Sequence, residues 1–122
     1  KRHQIIFQQI DPKLDGLIKI DSVSWIPLLP INLPNHMIEI PGIFSVTIQN
    51  NSNEVIWIRY DLRFFDDEGF LVYDFIPFGQ PVIVAPRIEH ALNGDFFVRS
   101  ANIDQAMRMA MMQFAARIKL QD

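Results

Sequence analysis

Residues 43 to 75 read I-F-S-V-T-I-Q-N-N-S-N-E-V-I-W-I-R-Y-D-L-R-F-F-D-D-E-G-F-L-V-Y-D-F. Phe44, Val46 and Ile48 alternate with Ser45, Thr47 and Gln49, the period-2 pattern of a half-buried strand. Asn50-Asn51-Ser52-Asn53 is a turn, because Asn tolerates positive φ and bonds its own backbone. From Val55 to Phe65 the pattern resumes. Ile56, Ile58, Tyr60, Leu62 and Phe64 form one face, and Arg59, Asp61 and Arg63 the other, where Asp61 is expected to pair locally in solvent. Asp66-Asp67-Glu68-Gly69 closes a hairpin with Gly69 at the position that needs positive φ, and Phe70 to Phe75 returns.

The rest of the chain is expected to cover this meander. Gln4 to Ile10 reads as a short strand, Asp11-Pro12 and Asp15-Gly16 as turns, and Leu17 to Trp25 as a second strand. Residues 26 to 42 carry Pro27, Pro30, Pro34 and Pro41, which argue against a central strand or helix running through. The same stretch holds Ile26, Leu28, Leu29, Ile31 and Leu33, so it reads as an irregular segment packed across one end of a sandwich. The alternatives are an exposed apolar strap that docks a partner, or a polyproline ligand, for which no regular P-x-x-P repeat appears.

Further on, Pro81 to Val84 is a short strand. Ile88 to Val98 is a longer one, with Ile88, His90, Leu92, Phe96 and Val98 on one side and a bulge expected at Asn93-Gly94. Asn102 has the character of a helix N-cap, followed by the helix formers Ala106 to Met112. From Phe114 the period returns to 2, which predicts a short helix and then a last strand; one helix over 103–119 is the alternative.

These elements predict a mainly β chain: an antiparallel β-sandwich with one short helix before the last strand. The 122 residues suit a single domain, with strands and a proline-rich strap over 1–41 and the sandwich core over 42–120. Apolar residues make up 49%, and ten Phe with two Trp supply bulky filling for the interior. Net charge is −3 with no basic run, which argues against a nucleic-acid groove. Cys is absent, which excludes disulfides and thiolate metal sites. No apolar run approaches the roughly 18 residues of a membrane span. The chain begins at Lys1 rather than Met, so an upstream segment is expected to have been removed; a signal peptide or lipid anchor could have sat there, and none is visible in these residues.

The runs G-I-F-S-V-T-I-Q-N-N-S and V-I-W-I-R-Y-D-L-R-F-F-D-D-E-G resemble the FxLYD-type immunoglobulin-like domain. Leu62, Phe64, Phe65, Asp66 and Gly69 occupy its motif positions, with Leu62 for the family Phe, Phe64 for Leu and Phe65 for Tyr. The layout is also similar to the small YcfL-like periplasmic lipoproteins. The resemblance covers residues 42 to 120 and implies a non-enzymatic, immunoglobulin-like sandwich in the periplasm or cell envelope. It carries no catalytic residues and no cofactor.

The residues themselves offer little chemistry. Asp61, Asp66, Asp67, Glu68 and Asp74 lack the ordered oxygen spacing of a calcium loop and read as a solvated acidic turn. His3, His36 and His90 are far apart, and His90 falls on an apolar strand face. No serine sits in a nucleophile elbow, and no Gly-rich phosphate loop occurs. Met107, Met109, Met111 and Met112 read as packing across the open end of the sandwich, with a partner-binding face or a soft-metal site as alternatives. Asn50-x-Ser52 also fits a glycosylation acceptor, which matters only in a eukaryotic secretory setting and is not the expected role of this turn. The expected function is a binding or structural module with an unknown protein partner. Ile26, Leu28, Leu29, Ile31, Met107 and Met111 are its candidate contacts. A self-assembling homodimer and a carrier of a small ligand or metal are the alternatives.

Overall fold

The computed structural model describes residues 4–9 and 16–120. The elements run β1 (Gln4–Gln9), β2 (Ile18–Pro27), β3 (Ile31–Leu33), β4 (Met37–Asn50), β5 (Ile56–Asp66), β6 (Leu71–Phe75), β7 (Val82–Val84), β8 (Glu89–Ser100), α1 (Ile103–Met107) and β9 (Met109–Leu120). One sheet has the order β1-β9-β5-β6, with β7 pairing β5 farther along the same edge. The other has β4 at its centre, β8 along one side, and β2 then β3 along the other. All pairs are antiparallel except β1 with β9. Among the described residues no helix is long and apolar enough to cross a membrane. His3, Ile10, Asp11-Pro12 and Asp15 lie outside the described residues, and Gly16 takes φ 88° in a turn.

The period-2 strands bury the faces that their patterns assign. Val46, Ile48, Ile56, Ile58, Leu62 and Phe64 are fully buried, as are Phe114 and Val98. Aromatic rings join the two sheets across the middle. Trp25 meets Phe64 edge-on at 5.5 Å, and Phe64 lies 4.6 Å from Phe96. Such pairs add about 0.5–1.5 kcal/mol each beyond the area they bury.

The structure corrects the reading of the proline-rich stretch. It is not irregular: β3 pairs with Met37–Glu39 in a hairpin whose turn holds Asn35 and His36 at φ 62° and 58°. β4 then runs through Pro41 at the centre of its sheet. The phase of the ladder explains why this is tolerated. Asn50 N–H donates to Ile88 C=O at 3.0 Å, so even-numbered residues of β8 exchange bonds with β4. Pro41 stands opposite Phe97, an odd-numbered residue, and its own carbonyl accepts from Leu28 N–H at 2.7 Å. The missing donor therefore faces the end of β2, where pairing stops at Pro27, and β8 loses nothing.

Two further expectations are corrected, and one motif match is set aside. The β4–β8 ladder runs from Gln49/Glu89 to Ile38/Ser100 without a bulge at Asn93-Gly94; Gly94 sits opposite Phe44 and leaves room for its ring. Asn102 does cap α1, accepting from Gln105 N–H at 3.0 Å, but the helix ends at Met107. From Met109 onward the chain pairs with β5, and Met112 buries opposite Phe64. Strand pairing over a core position outweighs the helix propensity of the Met-Ala run. Finally, Asn50 is fully buried and saturated with hydrogen bonds, so the folded chain does not present it as a glycosylation acceptor.

The acidic hairpin closes where its sequence implies, but Asp66 is buried rather than solvated. Asp66 Oδ1 accepts from the N–H groups of Glu68 (2.8 Å) and Phe70 (2.9 Å), and Gly69 takes φ 88°. Gln105 from α1 donates to the other carboxylate oxygen at 3.1 Å. Arg108 bridges Asp67 (2.7 Å) and Glu68 (3.2 Å), so one guanidinium ties this turn to the start of β9. Burial of Asp66 would raise its pKa, but the Phe70, Gln105 and Glu68 bonds and the Arg108 charge outweigh it and hold the carboxyl below its ordinary value. This contribution to stability is complete above about pH 4 and is lost as pH falls through the depressed value. Asp66→Ala is expected to lower Tm at pH 7 and to flatten the acid limb of the stability curve; an unchanged acid limb would refute the role.

Candidate functional site

Among the described residues β6 and β8 are free edges on the same side of the sandwich, and the space between them is an open cleft of about 400 Å³. Phe44 and Tyr60 form its floor, Phe75 and Phe78 one wall, and Phe96 and Phe97 the other. Phe97 from β8 packs on Tyr73 (5.8 Å) and edge-on against Phe75 (5.0 Å) of β6, which sets the width of the mouth. The Arg99 guanidinium lies 4.0 Å from the Phe97 ring centre and bonds Glu39 at 2.8 Å, so this wall is braced from behind. Gly94 keeps β8 bare where the cleft reaches Phe44. The Phe78 ring is fully exposed. Polar groups are few: Asn93, which accepts from the Ser45 hydroxyl at 2.5 Å, Asp95, and the Tyr60 phenol, whose pKa burial raises.

The β8 edge borders this cleft. Because even-numbered residues bond β4, the main-chain groups of Glu89, Ala91, Asn93, Asp95, Phe97 and Arg99 face outward. Among the described residues no strand pairs with them. The opposite edge is closed more carefully. β6 and β7 leave a gap beside Tyr60, and the Gln80 side-chain amide fills it, accepting from Tyr60 N–H at 2.5 Å and donating to Tyr60 C=O at 2.7 Å. A side chain there replaces one rung of the ladder.

The outer face of β5 and β9 is charged. Asp61 is buried, contrary to the solvated pairing expected of it; Arg63 covers it at 2.9 Å, and Asp74, 4.0 Å from the same guanidinium, lies within hydrogen-bond reach of Asp61. Burial, then the hydrogen bond and charge of Asp61, push the Asp74 carboxyl up to about 6, against the pull of Arg63 and Arg117. Between about pH 4 and 6 the folded chain holds a proton that the unfolded chain has released. Stability therefore falls as pH rises through that window. Asp74→Asn, whose amide donates where the shared proton did, is expected to raise stability at pH 7 by about 1 kcal/mol or less, given the solvent screening of a part-exposed carboxyl. The gain shrinks below pH 4; equal gains at pH 4 and pH 7 in denaturant melts would sink this account.

The residues singled out in the sequence fall in several places. Leu62 and Phe64 are core, Phe65 is half-buried on the outer face, and Asp66 and Gly69 build the turn. Leu28 and Met107 line one apolar cleft of about 200 Å³ with Pro27, Pro30 and Met109. Ile26, Leu29 and Ile31 are exposed near it, whereas Met111 is half-buried on the other sheet's outer face. Met109 and Met112 are core. The acidic set divides, with Asp61 and Asp74 around Arg63 and Asp66, Asp67 and Glu68 around Arg108. His36 is exposed in the β3–β4 turn, and His90 is half-buried opposite Ile48. Among the described residues no group of three or more His, Asp or Glu is placed to hold a metal. The aromatic cleft was missed in the sequence, where its rings look like core; the signal available was Pro77-Phe78-Gly79, a bulky ring held in a turn.

No protein-family model matches the chain, and no curated protein matches it. Two solved structures are similar. The X-ray structure of Northeast Structural Genomics Consortium target SoR45 matches 69% of this chain at 14% identity and a TM-score of 0.52. The match spans 64% of that chain, less than two thirds of its length. The crystal structure of Campylobacter jejuni cj0090 matches 97% of this chain and 100% of that chain, at 15% identity and a TM-score of 0.45. At such identity the likeness to SoR45 is one of fold alone.

Proposed function

We propose that this chain is a non-enzymatic binding module that accepts an extended polypeptide segment as an added strand on β8. A bulky side chain of that segment enters the aromatic cleft beside Gly94. The observation that carries this reading is the open β8 ladder bordering a cleft walled by aromatic rings. Main-chain bonds would supply affinity and the cleft selectivity, the usual division in strand addition. The immunoglobulin-like reading is supported by β4 pairing β8 in one sheet and β5 pairing β9 in the other, the places of the B–E and C–F pairs in such sandwiches. Work in the periplasm or cell envelope rests on the resemblance to FxLYD-type and YcfL-like proteins.

The phase of β8 supplies a clean test. The Asp95 N–H faces outward, so Asp95→Pro removes an edge donor without breaking the β4 ladder. Peptides selected from a displayed library should bind the native chain and lose at least about tenfold in affinity to this variant, with Tm little changed. Binding that survives Asp95→Pro would overturn the reading. A second copy is the competing occupant: a dimer in light scattering that Asp95→Pro dissolves would assign the edge to self-assembly.

A further inference from the structure

Arg59 on β5 and Arg117 on β9 are direct cross-strand neighbours, both exposed. Side chains so placed start about 4.5–5.5 Å apart, and like charges there destabilise a sheet. Three other guanidiniums are neutralised, Arg63 by Asp61, Arg99 by Glu39, and Arg108 by Asp67, Glu68 and Asp104, while Arg87, with no carboxylate partner among the described residues, bonds the Asn53 amide oxygen at 3.1 Å. Arg59 and Arg117 have no carboxylate within ion-pair distance among the described residues. The next rung on the same face places Trp57, part-exposed, opposite Lys119. Two clefts meet at the arginine pair. One, about 270 Å³, reaches Arg63 and Gln80; the other, about 290 Å³, reaches Trp57, Pro81 and Lys119. Three cations are thus gathered on one face of a chain whose net charge is −3.

We infer that Arg59 and Arg117 together bind the oxyanion group, phosphate or carboxylate, of a small ligand, with Trp57 and Lys119 beside it. Guanidinium N–H pairs match the oxygens of such groups in forked geometry, and two adjacent forks hold one anion from two sides. A bound anion offsets the repulsion between the two guanidiniums. Lys119 adds a third charge, and the indole offers an apolar face to the organic part of the ligand. Asp61 and Asp74 line the first cleft, and Arg117 pulls on the Asp74 carboxyl. Among the described residues no carboxylate lines the second cleft, so the anion is assigned to the side of Arg59 and Arg117 that faces Trp57 and Lys119. This site is separate from the β8 edge, and neither proposal depends on the other.

The test uses the whole chain in anion-poor buffer. Inorganic phosphate and acetate are titrated against it while the Trp57 indole and arginine side-chain signals are followed by NMR. Vesicles of phosphatidylglycerol or of phosphatidylcholine are offered in a parallel sedimentation assay. Saturable binding of a free anion, or sedimentation with the anionic vesicles alone, supports the site and names its source as a soluble ligand or a lipid headgroup. Either response should weaken at least about tenfold in Arg59→Gln and in Arg117→Gln, and be retained in Arg87→Gln, which alters an exposed arginine in the β7–β8 turn. Both site variants should also melt higher than the native chain in the anion-poor buffer, because the repulsion is gone. A response that persists in the double variant, or none in any arm, overturns the inference.

Discussion

Gly42→Ala is expected to remove about 3 kcal/mol of stability, at the upper end of what overpacking a core costs. A Cβ at this position would lie 2.1 Å from Cζ and 2.5 Å from Cε2 of Phe96, and 2.6 Å from the carbonyl oxygen of Ile26. The ring cannot swing away freely, since Phe64 and Trp25 hold it at 4.6 and 6.2 Å. The carbonyl belongs to β2, whose ladder with β4 runs through Ile26/Ile43 and Pro27/Gly42. Phe96 therefore lies over a bare stretch of its partner strand, and the missing side chain is what admits the ring. Gly94 is the built-in comparison. It bares the same ladder opposite Phe44, but an added Cβ would come only to 3.3 Å from that ring. Gly94→Ala is expected to cost under about 1 kcal/mol, because a shift of a few tenths of an ångström relieves it. Urea denaturation of both variants decides the matter, and equal losses would refute the packing argument.

Asn50→Ala is expected to cost a similar amount, about 3 kcal/mol, by a different route. Its Nδ2 donates to the carbonyls of Glu54 (2.8 Å), Val84 (3.1 Å) and Ala85 (3.1 Å). Its Oδ1 accepts from the Ser52 N–H (2.9 Å) and hydroxyl (2.7 Å). One amide thus closes the β4–β5 turn on itself and ties it to the end of β7, in the other sheet. Truncation leaves several of these groups unpaired in a site with little access to water. Asn50→Asp should be worse at pH 7 than at pH 4. The charged form faces three carbonyls with no donor, while the protonated form recovers one bond. Thermal melts at the two pH values read this directly, and a variant insensitive to pH would show that the amide is not the anchor described here.

The alternating stretches around Phe44–Ile48, Ile56–Phe64 and Phe114–Ile118 were legible because a strand's facing depends on residue parity alone. The hairpin at Asp66–Gly69 and the cap at Asn102 were legible because their bonds close within four residues. Pro41 was misread because its cost depends on which neighbour its nitrogen faces, and that follows from a register set at Asn50 and Ile88. Asp61 was taken as solvated because Asp74, which helps enclose it, arrives from the next strand. The candidate site was the least legible part. Phe75, Phe78, Phe96 and Phe97 look like core filling in the sequence, and only the open side between β6 and β8 makes a cleft of them.

By itself the chain's residue pattern determined a mainly β sandwich, its strand faces and its local turns, since these rest on parity and on bonds between near neighbours. The tertiary structure alone decided which edge stays open, where rings lie over glycines, and that Arg59 and Arg117 stand side by side. Those facts depend on strand order and register, which are properties of pairs of distant segments and are written in neither segment alone.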